Sequence, residues 1–235
     1  FLAIIGQNAS VKTTLVKHLN GLLNPTRGRV IFKGKEISTN LVSDLGREIG
    51  FVFQNPDHQI FSSRVYDETA FAPRNYGFSQ QEVKHRVENA LSLVGLLGRE
   101  EENPFLMTKG ERQRLAIASV LSAEPEVLIL DEPTTGLDYT KQIKVMELLK
   151  ELNQQGKTII IITHTLWLVA RYAHQAVVMM EGEKILEGSV REVLSQIEIL
   201  NKASLIPPEI TRFGLALGVP FLKLEEALKG LERAK

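Results

Sequence analysis

The sequence predicts a mixed α/β fold with a mainly parallel sheet, on two observations. Short apolar runs such as Val127 to Leu130 and Ile159 to Ile162 recur along the chain, as strands buried on both faces require. Between them lie longer stretches with helical periodicity, the pattern of crossover connections. Taken in order, Phe1 to Ile5 reads as a buried strand already under way, so further strands are expected upstream of it. A loop and a helix from about Lys12 to Leu22 follow, the helix stopping near Asn24 and Pro25. Arg29 to Phe32 and Glu36 to Ile37, separated by Lys33, Gly34 and Lys35, predict a small antiparallel hairpin. Ile49 to Phe53 is an apolar strand that ends at Gln54.

From about residue 55 to 122 the periodicity is mostly helical, with a patterned run from Gln80 to Leu97, which predicts an inserted helical subdomain. The sheet resumes at Val127 to Leu130, Thr158 to Ile162 and Ala176 to Met180. Glu181, Gly182 and Glu183 turn the chain into Lys184 to Leu186. After Gly188 one helix is expected, then Pro207 and Pro208, and a last helical stretch from Lys223 to Leu231. The main domain is expected over 1–190 and a helical extension over 191–235.

Composition excludes several functions. The chain has 235 residues, 43% hydrophobic and 24% charged, enough to bury a core. Its 28 basic and 28 acidic residues cancel, so no overall field draws it to nucleic acid. Its purely apolar runs are far below the roughly 20 residues of a membrane-spanning helix. With no cysteine, disulfides, thiolate metal sites and thiol nucleophiles are absent.

Gly6, Gln7, Asn8, Ala9, Ser10, Val11, Lys12, Thr13 and Thr14 lie between the first strand and the first helix, where backbone N–H groups and the helix dipole can wrap a phosphate chain. Lys12 would reach the outer phosphates and Thr13 would ligate Mg²⁺. The strict pattern has glycine where Val11 stands, and often where Ala9 stands. A β-branched residue resists the left-handed backbone of an anion nest at a cost of roughly 1–2 kcal/mol. Val127 to Leu130 delivers Asp131 and Glu132 to a strand's C-terminal end, where open α/β sheets bind ligands. Asp131 would hold Mg²⁺ and Glu132 would act as general base on a water. The same pair can also simply cap a loop. Residues 133–138 predict a tight turn ending in Asp138. His164 and Gln54 each follow a strand. His164 can touch a terminal phosphate, and Gln54 can ligate Mg²⁺ or sense the attacking water, though either is equally at home as a structural residue.

This ordered set resembles the ATP-binding subunits of ABC transporters, from the phosphate loop through the glutamine loop, signature, carboxylate strand and aspartate loop to the histidine loop. The run Gly50-Phe-Val-Phe-Gln-Asn-Pro-Asp-His-Gln-Ile-Phe61, with Ala70-Phe-Ala-Pro-Arg-Asn-Tyr-Gly77, is similar to the energy-coupling factor class that imports cobalt, nickel and vitamins. Leu205 to Ile210 resembles the C-terminal extension of that class, which implies a dimer contact. The resemblance implies a P-loop NTPase fold of ABC type and ATP with Mg²⁺ as cofactors. It also implies a second ABC ATPase subunit, identical or different, an integral membrane transporter subunit, and a peripheral place on the cytoplasmic face of the membrane. In the family the signature of one subunit caps the nucleotide held by the other. Here the signature is Met107, Thr108, Lys109, Gly110 and Glu111, where the family usually has Leu-Ser-Gly-Gly-Gln. Thr108 and Gly110 can still serve a γ-phosphate, whereas Lys109 either obstructs the closed pair, replaces lost donors, or points to solvent. Asp138 joins these as a nucleotide-side residue.

The expected function is ATP hydrolysis energising a metal-ion or vitamin importer, with nucleotide binding weakened by Ala9, Val11 and Lys109. The alternative is a degenerate subunit acting as scaffold or regulator in an asymmetric pair. A soluble ATPase of translation or repair is a third reading, opposed by neutral charge and the lack of basic arms.

Overall fold

The computed structural model describes residues 1–7, 10–37 and 42–233. The chain divides into two compact units, residues 1–13 with 160–235, and residues 14–159.

In the first unit, strand β1 (Leu2–Gly6) lies parallel to β6 (Thr158–Ile162), with Leu2 beside Ile160 and Ile4 beside Ile162. On its other side it runs parallel to β7 (Gln175–Met180), with Gly6 beside Met179. β8 (Glu183–Ser189) returns antiparallel along β7, with a register shift at Val178 and Met179. The central strands are apolar on both faces: Ala3, Ile5, Ile161, Ala176 and Val178 are buried on one, and Ile4, Ile162 and Met179 on the other. Each buried isoleucine or valine among them contributes roughly 1.5–3 kcal/mol of burial free energy. Helix α7 (Leu166–Tyr172) follows β6, and α8 (Val190–Ser195) opens on a capping box between Ser189 and Glu192. α9 (Ile197–Lys202), α10 (Glu209–Ala216) and α11 (Leu224–Arg233) complete the unit.

In the second unit, β4 (Ile49–Val52) runs parallel to β5 (Val127–Asp131), with Val52 beside Leu130. β2 (Ile31–Phe32) and β3 (Lys35–Glu36) form the small antiparallel hairpin. The expected helical segment is α3 (Val65–Asn75), α4 (Gln80–Leu93) and α5 (Lys109–Leu121), with short 3-10 turns at Pro56–His58 and Pro104–Leu106. Ser79 and Glu82 close a capping box on α4, and Val83, Val87, Ala90 and Leu91 form its buried stripe. α6 (Tyr139–Gln154) buries Val145, Met146, Leu149 and Leu152 at helical spacing.

Several boundaries differ from expectation. α1 spans Lys12–Leu19, shorter than expected, because Gly21 takes a left-handed φ of 75° and Leu23 N–H donates to the Lys17 carbonyl at 2.9 Å. The hairpin turn is two residues, Lys33 and Gly34 at φ 50° and 77°, rather than three. α2 (Val42–Glu48) was unforeseen, since seven residues containing Gly46 show too little periodicity to read. The single helix expected after Gly188 is two, α8 and α9, broken at Gln196. α10 was also missed, although Pro207 and Pro208 are a helix-start signal.

Candidate functional site

The first unit carries the phosphate-loop candidates through Thr13, and His164. β1 delivers the chain at Gly6, where only glycine fits: a β-carbon there would come within 2.3 Å of the Met179 carbonyl oxygen. Ser10 is buried and donates its N–H to the Gln7 carbonyl at 3.1 Å. Lys12 is 7% exposed, and its ammonium donates to the carbonyls of Gly6 (3.0 Å) and Gln7 (2.8 Å) and to Ser10 Oγ (3.1 Å). A buried ammonium is tolerable only with such acceptors around it. Thr13 and the exposed Thr14 sit in the first turn of α1, which holds no acidic residue to oppose an anion. Asn8 and Ala9 lie outside the described residues.

Val11 occupies a left-handed backbone, φ 65°, and is 43% exposed. The strain expected at this position is therefore present, and the valine is accommodated by turning outward. His164 is exposed two residues past β6, after Thr163, whose N–H donates to the Ile4 carbonyl at 3.2 Å. Because β1 and β6 are parallel and in register, Gly6 and His164 leave the same edge of the strand pair.

The second unit carries the remaining candidates. The β4–β5 register brings Gln54 and the carboxylates out at one edge. Gln54 is exposed there, whereas Asp131 and Glu132 are buried, at 4% and 7% exposure. Glu132 adopts φ 48°, and its Oε2 accepts the Thr135 hydroxyl at 3.1 Å. A non-glycine residue held left-handed carries backbone strain, here as at Val11. Residues 133–138 form the expected turn, with Gly136 at φ 76° and Leu137 N–H donating to the Thr134 carbonyl. Asp138 caps α6, accepting from Lys141 N–H at 3.0 Å and pairing with its ammonium at 2.6 Å. The bonds from Lys141 hold the Asp138 carboxyl below its usual range.

Thr108 caps α5 and shares a capping box with Glu111. Gly110 is buried; a β-carbon there would press on Lys141 Cδ at 3.0 Å. Lys109 is exposed, and its Nζ lies over Gly136, where an added β-carbon would be 2.6 Å away. The signature and the aspartate turn are thus packed together, with the lysine stem between them. Gln59 went unnoticed in the sequence. Its amide accepts from Phe53 N–H (3.1 Å) and donates to the Ala116 carbonyl (2.9 Å) and Ser119 Oγ (3.1 Å), fixing the glutamine loop to α5. Gln54 and Gln59 look alike in sequence, and only the fold distinguishes the anchored amide from the exposed one.

The donors expected for Mg²⁺ are a carboxylate, a hydroxyl and an amide oxygen, hard ligands that suit it. Among the described residues there is no group of three His, Asp or Glu side chains that would form an all-protein metal cage.

Residues 1–135 match the family model described as ABC transporter. The chain is 52% identical over 233 residues to a protein of Caldanaerobacter subterraneus named as an ABC transporter ATP-binding protein, covering 99% of this chain and 41% of that one. It is 44% identical over 211 residues to the energy-coupling factor transporter ATP-binding protein EcfA of Methanocaldococcus jannaschii, covering 89% and 76%. Among solved structures it is similar to CbiO1 of Clostridium perfringens, described as part of the ABC transporter complex CbiONQ: 38% identity, TM-score 0.77, covering 93% and 87%. The chain spans only about two fifths of the length of several curated relatives it matches end to end. Family model, relatives and fold agree, and the chain belongs to the ABC transporter family as an ATP-binding domain of P-loop type.

Proposed function

We propose that this chain binds MgATP and hydrolyses it to energise an importer of the energy-coupling factor type, for a metal ion such as cobalt or for a vitamin. The observation that carries this is the buried Lys12 ammonium, cradled by Gly6, Gln7 and Ser10 at the start of a helix with no acid in its first turn. An incoming phosphate would take over the ammonium now held by backbone carbonyls. Asp131, Thr13 and Gln54 would hold Mg²⁺, which when bound neutralises phosphate charge. Glu132 would take the proton of the attacking water at a carboxylate oxygen, and His164 would orient that water. Thr108, Lys109, Gly110, Glu111 and Asp138 would face the nucleotide of a second ATPase subunit, as the family resemblance implies.

The importer class rests on the EcfA and CbiO1 likenesses. No helix among the described residues is long and apolar enough to cross a membrane, so an integral membrane subunit would supply the path and this domain would sit against it on the cytoplasmic face. A surface for that subunit is the groove of about 320 Å³ lined by Phe61, Glu68, Phe71 and Tyr76. Residues 191–235 would serve the contact between ATPase subunits.

Isothermal titration of MgATP into the full-length protein is expected to show saturable binding, abolished by Lys12→Ala. Glu132→Gln is expected to cut turnover by at least about 100-fold while retaining ATP, as loss of a general base does. No saturable binding at millimolar MgATP would overturn the proposal. A scaffold or regulator role would then remain.

A further inference from the structure

The signature of this chain has an acid, Glu111, where the family usually has glutamine, and the acid is not left to itself. Arg99, in the loop after α4, forks Glu102 with Nε–Oε1 2.7 Å and Nη2–Oε2 2.5 Å. Its third nitrogen, Nη1, donates to Glu111 Oε1 at 2.6 Å. With Oε1 taken, Glu111 Oε2 accepts both the Thr108 N–H and the Thr108 hydroxyl, each at 2.8 Å. The loop bearing Arg99 is itself tied to the start of α3, because Val65 N–H donates to the Glu102 carbonyl (3.0 Å) and Tyr66 N–H to the Glu100 carbonyl (2.9 Å). The guanidinium is thus a fixed bracket, and bidentate arginine forks are among the more rigid charge-assisted contacts.

A carboxylate in the first turn of α5 suits the helix dipole but repels an incoming phosphate aimed at the same N–H groups. Rotation of Glu111 would also release the Thr108 hydroxyl from its present rotamer. We infer that Arg99 is a positioning residue for the signature: by binding one oxygen of Glu111 it offsets part of that acid's charge, fixes its rotamer, and through it holds the Thr108 side chain in place where the triphosphate of a partner subunit would arrive. This rests on the proposed ATP-binding function, because it needs a nucleotide to be capped. The substitution of acid for glutamine at 111 and the presence of an arginine at 99 then form one compensated unit.

The test is steady-state ATPase kinetics of the full-length assembly for R99Q, R99K, E111Q, E102Q and the double variant R99Q/E111Q. R99Q is expected to raise KM for ATP about five- to ten-fold with kcat changed less than about two-fold, the split expected when capping rather than chemistry is lost. R99K, which keeps the charge without the fork, should fall between wild type and R99Q, and it replaces R99Q as the probe should that variant not fold. In the E111Q background, loss of Arg99 should change KM by less than about two-fold, because a neutral amide needs no counterion. E102Q should stay within about two-fold of wild type. Equal damage by R99Q in both backgrounds, or its reproduction by E102Q, would show that Arg99 merely ties down its loop and would overturn the inference. If wild type hydrolyses ATP and R99Q and R99K match it, only this inference fails. If wild type shows no saturable MgATP binding, the proposed function fails first.

Discussion

At the scale of single residues, the decisive feature is backbone conformation. Val11 sits at φ 65° and Glu132 at φ 48°, both outside the comfortable range of L side chains. Val11 gains only part of a valine's burial in return, since it is 43% exposed. Val11→Gly is expected to relieve roughly 1–2 kcal/mol of left-handed strain, offset by up to about 1 kcal/mol of added unfolded-state entropy. The urea midpoint should therefore hold or rise slightly, and MgATP should bind more tightly; a clear fall in either would show that valine is a fitted part of the loop. The conflict at position 11 was legible in the sequence, because the loop pattern names the glycine it lacks. The resting place of the Lys109 ammonium over Gly136 was not, because three destinations were open to an exposed four-carbon stem.

At the scale of elements, the first turn of α5 is an electrostatic assembly. Glu111 is held down to about 2 from a usual carboxylate value of 4.5, first by the Arg99 hydrogen bond and then by the Thr108 backbone and hydroxyl, against a smaller opposing effect of burial. A carboxylate with a depressed folded pKa contributes stability that is full above its unfolded value and is lost as pH falls through the folded one. The stability difference between wild type and Glu111→Gln, about 1 kcal/mol at neutral pH, should therefore shrink between about pH 4.5 and 2. Denaturant titrations across that window check this, and a constant difference would contradict it. The cap itself was partly readable, as a threonine three residues before an acid. Arg99 was not, because twelve residues and a turn separate it from Glu111, and only folding of the loop against α3 brings them together.

At the scale of the whole molecule, exposed apolar surface is where the proposed membrane subunit would dock. Phe61 and Phe71 meet edge-on, ring centroids 4.7 Å apart, yet remain 59% and 49% exposed. Large apolar residues paired at a groove are more informative than scattered ones. Phe61→Ser with Phe71→Ser is expected to abolish co-purification with the membrane subunit while leaving MgATP affinity within about two-fold, since the loss is confined to an interface anchor. Retained co-purification would move the docking surface elsewhere.

The sequence by itself determined the succession of the long strands and the longer helices, the residues at strand ends, and the family, because apolar periodicity and loop chemistry are local properties. It misjudged α2, α8, α9 and α10, whose few turns carry too little periodicity to stand out from loops. The tertiary structure alone decided which polar side chains are spoken for. Gln59 is anchored and Gln54 exposed, and Arg99 is spent on two acids, because hydrogen-bond partners are chosen by proximity in space, which strand register and helix packing set.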